Sequence, residues 1–412
     1  MTDTLELRRE PSPASLKVRY RLTPWWVKVL VVFVASRVVS TIILLAFAGI
    51  QPANPWTPAH PHYMAFAGIW DGTWYQFVGA TGYPSVLPLT SDGHITQNTW
   101  AFLPAYPYLV HTLQLATGLT FNVVGVFVSV GFAAGAALVV YKLLVSQLGS
   151  STALFSVVLF CVAPLSPIMQ VDYAESMFLF FLALALYFLQ KRRYWTMLPF
   201  VAVMSFTRPG GLAFALTMGL HVIYRWTQRK RDPFPSAQVI AAVVATVASL
   251  ALGYAWPAIA GWVTGVPDAY TATELSWRWP YVGWAPLVPF SPWVQGALWW
   301  LGRAGVAGTV IPIVLLVVVL GLFAALMFSP QVKRIGVDLR LWIASWTLYI
   351  LAVFFPQSSV FRMFMPVFPL VGPLAIPRST AYRVGIVILM IAGQIGWVYI
   401  AYWFDGIDWT PP

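Results

Sequence analysis

The stretch Trp25–Ile50, WWVKVLVVFVASRVVSTIILLAFAGI, decides the fold class. It outruns the roughly 20 apolar residues that carry a helix across the hydrocarbon core of a bilayer. It is also too long for the apolar region of a cleaved signal peptide, so it is expected to persist as a first membrane span. In lipid the backbone finds no water, and only a helix or a closed barrel satisfies its own N–H and C=O groups. A barrel strand would alternate apolar and polar side chains; here the apolar run is continuous. Helix is the reading that remains.

The same character recurs along the chain. Of its 412 residues 59% are hydrophobic and only 9% charged, a balance that would not keep a soluble domain dissolved. Apolar runs of membrane length or slightly less lie near 26–50, 121–141, 150–163, 174–190, 194–207, 210–224, 237–262, 306–328, 341–355, 362–376 and 384–404. The expectation is an all-α polytopic membrane protein with about eleven transmembrane helices. Residues 1–25 read as a cytoplasmic segment, 26–404 as a single transmembrane domain and 405–412 as an outer tail. The single cysteine, Cys161, excludes an internal disulfide framework and a cysteine-rich metal site, and reads as packing.

Charge sets the orientation. Arg8, Arg9, Lys17, Arg19, Arg21 and Lys28 precede or open the first helix, which places the N-terminus in the cytoplasm. Alternating from there puts Lys142, Lys191, Arg192, Arg193, Arg225, Arg229, Lys230, Arg231, Lys333, Arg334, Arg340, Arg378 and Arg383 inside as well. Only Arg208, Arg278, Arg303 and Arg362 fall outside, with Arg37 inside the first helix. The net charge of +11 is therefore a set of retention signals. Nucleic-acid binding would need a contiguous basic soluble face, and none is expected. The acids Asp71, Asp92, Asp172, Glu175, Asp268, Glu274, Asp405 and Asp408 all fall on the outer side, although acids do not govern orientation. Two long outer loops, about 51–120 and 263–305, are rich in Trp, Tyr and Pro. Long ordered loops usually carry function.

Three clusters hold the chemistry. In the first outer loop, Trp70-Asp71-Gly72-Thr73-Trp74-Tyr75 is followed by Gly82-Tyr83 and by Ala101-Phe102-Leu103-Pro104-Ala105-Tyr106-Pro107. An acid among aromatic rings at the interface is costly unless used. Asp71 reads either as a general base or as a helix N-cap. The second cluster, Asp172-Tyr173-Ala174-Glu175-Ser176, places two acids three apart, on one face if helical. They could hold a cation or sugar hydroxyls, or only complement a helix dipole. The third, Thr207-Arg208-Pro209-Gly210-Gly211, breaks two short helices, and its arginine requires an anion, either a lipid phosphate or one of the acids. Arg362, after Gln357-Ser358-Ser359, has the same two readings. Arg278, between Trp277 and Trp279, suits cation–π packing. His60, His62, His94 and His111 lack the spacing of a helical zinc site. No phosphate-binding loop or dinucleotide fingerprint is present in the sequence.

Trp70-Asp71-Gly72-x-Trp74-Tyr75 with Gly82-Tyr83, then Ala101–Pro107, resembles the PIG-V type of mannosyltransferases. In that family a Trp-Asp-like motif leads to Gly-Tyr and then to an Ala-Phe-Phe-Pro-Leu-Tyr-Pro-like stretch. Tyr173-Ala174-Glu175-Ser176 is similar to the family's Tyr-Ser-Glu-Ser, and Thr207–Gly211 to its Thr-Arg-Ser-Asn-Gly. The second half matches mainly through Phe361-Arg362 and the Pro366–Pro369 stretch. Ile69 stands where the eukaryotic family usually has Arg, and Leu103 also departs from its pattern. The resemblance implies a GT-C glycosyltransferase that takes a hexose, usually mannose, from a polyprenyl-phosphate sugar and works on the outer face. By the same resemblance Asp71 is the base, and Trp70, Trp74, Tyr75, Tyr173, Glu175, Arg208 and Arg362 surround the substrate. The excess of arginine over lysine among Ala- and Val-rich helices points to a bacterial plasma membrane, where a glycolipid or glycoprotein of the cell envelope is the expected acceptor. No cofactor is implied, though the outer acids could hold a divalent metal. A transporter or lipid flippase would use similar broken helices but predicts inverted repeats. A scaffold that kept the fold would have no need of Asp71, Glu175 and Arg208.

Overall fold

The computed structural model describes residues 21–404. Most of the cytoplasmic segment expected over 1–25, and the tail at 405–412 with Asp405 and Asp408, lie outside the described residues. Continuous apolar sequence becomes helix: α1 (Trp25–Ile50), α2 (Asp71–Thr81), α3 (Ala105–Thr117), α4 (Phe121–Leu148), α5 (Ser150–Val162), α6 (Glu175–Gln190), α7 (Tyr194–Thr207), α8 (Gly211–Gln228) and α9 (Ser236–Thr264). Then come α10 (Ala269–Ser276), α11 (Ser291–Arg303), α12 (Val310–Met327), α13 (Val337–Val353), α14 (Val360–Met363) and α15 (Thr380–Trp397). Among the described residues the only β pairing is one antiparallel bridge, Leu89 to Ile95. Among the described residues five helices are long and apolar enough to cross a membrane: α1, α4, α9, α12 and α15 with its continuation to Tyr402.

The remaining apolar helices are shorter, and their lengths shape the protein. α5, α6 and α7 have 13, 16 and 14 residues, or roughly 20–24 Å at 1.5 Å per residue, against an apolar core of about 30 Å. They pack against α4, α8 and α9; the ends of α6 and α7 that carry Glu175 and Thr207 are buried in protein, while Lys191, Arg192, Arg193 and Trp195 at their other ends are exposed. Ser129, in the third turn of α4, donates to the Tyr173 carbonyl at 2.9 Å. The start of α6 therefore sits below the rim of the bundle. That recess is where Glu175 and Arg208 lie.

Residues 362–376 do not form the continuous span expected of them. Pro366, Pro369 and Pro373 remove three N–H donors, and the chain runs as a 3-10 segment over Met365–Leu370 followed by one turn at Val371–Leu374. Carbonyls released by the break are bonded from α13: Trp342 Nε1 donates to Pro366 O at 2.8 Å and Trp346 Nε1 to Met363 O at 2.7 Å. Two indoles thus hold the irregular segment that carries Arg362.

α8 and α9 touch backbone to backbone. A Cβ at Gly211 would lie 2.6 Å from the Gly253 Cα, and both glycines border the cavity described below. Gly211→Ala is expected to push the two helices apart at a cost of about 1–3 kcal/mol. The check is thermal unfolding in detergent, where the variant should melt lower than Gly219→Ala, whose Cβ meets nothing closer than 3.9 Å.

Candidate active site

The site begins with a strained turn. Trp70 has φ 60°, a left-handed conformation that a bulky residue adopts only when its surroundings enforce it. They do so here: Trp70 Nε1 donates to the Tyr402 carbonyl at 2.8 Å, and its ring packs against Trp56 and Phe404. Trp70, and not Asp71, occupies the cap position of α2. Asp71 opens the helix, its amide donating to the Tyr173 hydroxyl at 3.2 Å. Its carboxylate is turned into a cavity.

That cavity has a volume of about 450 Å³, within the range of small-molecule sites. Asp71, Tyr75, Arg208, Glu274 and Arg362 border it. On one wall the charged groups form a chain. Arg362 Nη1 donates to Asp71 Oδ2 and lies 3.3 Å from Glu175 Oε1; Arg208 Nη1 donates to the same Glu175 oxygen at 2.6 Å. The four residues come from α2, α6, the end of α7 and α14, and Asp71 and Arg362 are 291 positions apart in sequence. The guanidinium of Arg362 also lies over the Tyr173 ring, 5.4 Å from its centroid. Glu175 is 4% exposed and Arg362 8%, so deleting either partner without replacement strands a buried charge, a loss of about 3–5 kcal/mol.

The sequence-derived residues divide into two groups. Asp71, Tyr75, Arg208 and Arg362 line the cavity, with Glu175 and Tyr173 immediately behind the two arginines. The indoles turn away. Trp70 packs into a cluster with Ile69, Tyr173 and Tyr402, and Trp74 stacks on Phe102, 5.4 Å between centroids, supporting the wall that Phe102 presents. Asp172 does not pair with Glu175 as a shared face would require. The chain is not yet helical at Asp172, and its carboxylate, fully buried, accepts from the Tyr106 hydroxyl at 2.7 Å. Burial raises its pKa well above the ordinary carboxylate value. Arg278 is held by the carbonyls of Ala285 and Pro286, at 2.6 and 3.0 Å. His60 and His62 bond local backbone. Among the described residues no three His, Cys, Asp or Glu side chains gather as a metal site, and both acids of the charged chain already face guanidinium groups.

One cavity residue was not singled out by the motifs. Glu274 lies on α10, in the segment that follows α9. Asn98 Nδ2 of the first loop donates to Thr273 Oγ1 at 2.9 Å, and Trp100 packs with Ala269 and Trp256, so α10 roofs the cavity. Glu274 borders the cavity with its side chain accessible there. Burial pushes its carboxyl up to about 7, against opposing effects of a hydrogen bond from Tyr270 and the charge of Arg208. The available signal was its helical spacing, with Tyr270 four residues earlier in an aromatic loop.

No protein-family model matches the chain, and no curated protein sequence matches it. Among solved structures it is similar to the Archaeoglobus fulgidus oligosaccharyltransferase in complex with zinc and sulfate, with 15% identity, a TM-score of 0.42 and coverage of 88% of this chain and 52% of that one. The archaeal oligosaccharyltransferase AglB from Archaeoglobus fulgidus, in complex with an inhibitory peptide and a dolichol-phosphate, is 13% identical, with a TM-score of 0.41 and coverages of 90% and 55%. The Archaeoglobus fulgidus oligosaccharyltransferase tethered to an acceptor peptide gives 12%, 0.40, 90% and 54%. The chain spans about half the length of these proteins.

Because the folded-state pKa of Glu274 lies above its ordinary 4.5, the folded protein binds the extra proton between these values. The resulting stability is full below 4.5 and is lost as pH rises through about 7. Glu274→Gln should remove this dependence. Thermal unfolding followed from pH 4.5 to 8 should show wild type losing stability relative to the variant across that window; parallel curves would contradict the assignment.

Proposed function

We propose that the protein is a membrane glycosyltransferase of GT-C type that moves a hexose, mannose by the sequence resemblance, from a polyprenyl-phosphate sugar to a lipid-linked glycan or glycoconjugate. The observation that carries this reading is the meeting of the Asp71 carboxylate with the Arg208 and Arg362 guanidiniums at a single cavity, which Glu274 and Arg278 also border. The cavity continues along apolar residues of α9 and α13, including Tyr254, Pro257, Ile350 and Val353, a surface suited to an isoprenoid chain. A lipid-linked donor needs no nucleotide site. It needs a groove at membrane level and cations where phosphate charge develops.

In the proposed reaction the acceptor hydroxyl gives its proton to Asp71 as its oxygen bonds to the anomeric carbon. The bond from that carbon to the phosphate oxygen breaks on the opposite face, and the electron pair leaves with the lipid phosphate, so configuration inverts. Arg208 and Arg362 stabilise that phosphate. Tyr75 and Phe102 border the sugar's space, and Trp70 and Trp74 act as positioning residues behind it. The reading places the site outside the cytoplasm. It is supported by the concentration of basic residues at the other end of the helices, where Arg192 pairs with Asp232 at 2.5 Å. A bacterial plasma membrane is the proposed location, with the N-terminus inside.

The test incubates purified protein with polyprenyl-phosphate mannose and envelope glycolipids and follows the acceptor's mass for the gain of one hexose. Asp71→Asn should reduce transfer by roughly 10²–10⁴-fold, the range of general-base catalysis; near-wild-type transfer would remove Asp71 from that role. Arg208→Ala and Arg362→Ala should each weaken donor binding by about tenfold or more, the scale of a charged hydrogen bond.

A further inference from the structure

We propose that Asp71 and Glu175 compete with the donor phosphate for Arg362 and Arg208, so that seating the phosphate is the step that frees Asp71 to act. The inference rests on the donor reading above and adds a regulation of the same site. Its starting point is the charge balance: two carboxylates and two guanidiniums form one chain with no net charge. Arg362 Nη1 serves both acids, and Glu175 Oε1 serves both arginines. The same chain leaves buried groups unsatisfied. Arg362 Nε is buried and has no hydrogen-bond partner, as is Glu175 Oε2, although Arg362 borders the cavity. A guanidinium is a planar fork that matches a phosphate through two parallel bonds; here one prong faces Asp71 and Nε has no acceptor.

A phosphate oxygen entering beside Arg362 supplies the acceptor that Nε lacks and draws the Nη1 proton from Asp71. The Asp71 oxygen that held the guanidinium is then available to an acceptor hydroxyl. Met363 keeps the second guanidinium poised, since Arg208 Nη2 lies 3.6 Å from its Sδ, a weak partner that a phosphate oxygen would replace. The order of events follows from the shared groups: phosphate first, proton acceptance second. Without the donor the base stays committed to Arg362, which keeps it from accepting a proton from a water that reaches the cavity.

Competition has a signature opposite to that of an ordinary binding residue. Removing the charge of Asp71 while keeping its shape should tighten phosphate binding, because the two anions bid against each other for one cation and the coupling is reciprocal. Purified protein in detergent is titrated calorimetrically with undecaprenyl phosphate, with undecaprenol, which lacks the phosphate, and with inorganic phosphate. Asp71→Asn and, independently, Glu175→Gln keep their hydrogen-bonding oxygens, and each should bind undecaprenyl phosphate at least about fivefold more tightly than wild type, with no change for undecaprenol. Asp71→Asn should do so while losing transfer. A matching gain with inorganic phosphate would assign the competition to the phosphate alone; a gain confined to the lipid would assign it to the headgroup held by its tail. Unchanged or weaker binding by both variants, with wild type binding normally, would overturn the competition and leave the donor reading standing. Absence of binding by wild type and variants alike would overturn both.

Discussion

The Arg362 guanidinium is the tie on which the arrangement depends. It reaches two carboxylates that start in different parts of the chain, Asp71 at the first turn of α2 and Glu175 at the first turn of α6. Through Glu175 it also reaches Arg208 at the end of α7. Below the rim of an apolar bundle there is little water to solvate a lone charge, so each of these groups is tolerable only because the others are present. The same argument makes the arrangement specific. Separating any one of these helix ends from the others would leave at least one of the charges without its partner.

Helix length and helix breaking work together with that tie. α6 and α7 are short, so the charged residues at their ends, Glu175 and Arg208, sit low in the bundle, walled by longer neighbours. The prolines near Arg362 prevent a regular helix there, and the carbonyls thus released are taken up by Trp342 and Trp346. The roof is aromatic. Trp100 packs with Tyr83 and Trp256, and His94 stacks on Trp284 at 4.5 Å, joining the two long loops beside the cavity. An apolar trough with charged groups at one wall suits a ligand that is greasy at one end and anionic at the other.

Much of this was legible in order along the chain. Asp71, Arg208 and Arg362 could be picked out because charge beside aromatic or helix-breaking residues on the outer side is costly and so requires a reason. The motif residues around Asp71 were harder to assign. Trp70, Trp74 and Tyr75 look alike in sequence, yet only Tyr75 borders the cavity, since the helix begins at Asp71 and the left-handed turn at Trp70 swings its indole toward Tyr402. Asp172 and Glu175 looked like a pair because a helix was assumed to include both; the helix starts at Glu175, and Asp172 faces Tyr106. Glu274 gave no motif at all. Its place in the cavity depends on how α10 is pinned by Asn98 and Trp100, contacts between loops more than a hundred residues apart.

By itself the sequence determined that the chain is helical and built for lipid, because apolar content and run length are properties of each segment taken alone. It also determined which few polar residues would be expensive there. Tertiary structure alone decided how those residues pair, which of the neighbouring aromatics face the cavity, and that Glu274 joins them. Pairing depends on which helix ends come level in space, and that follows from the lengths and close packing of many helices at once, a quantity no single stretch of sequence contains.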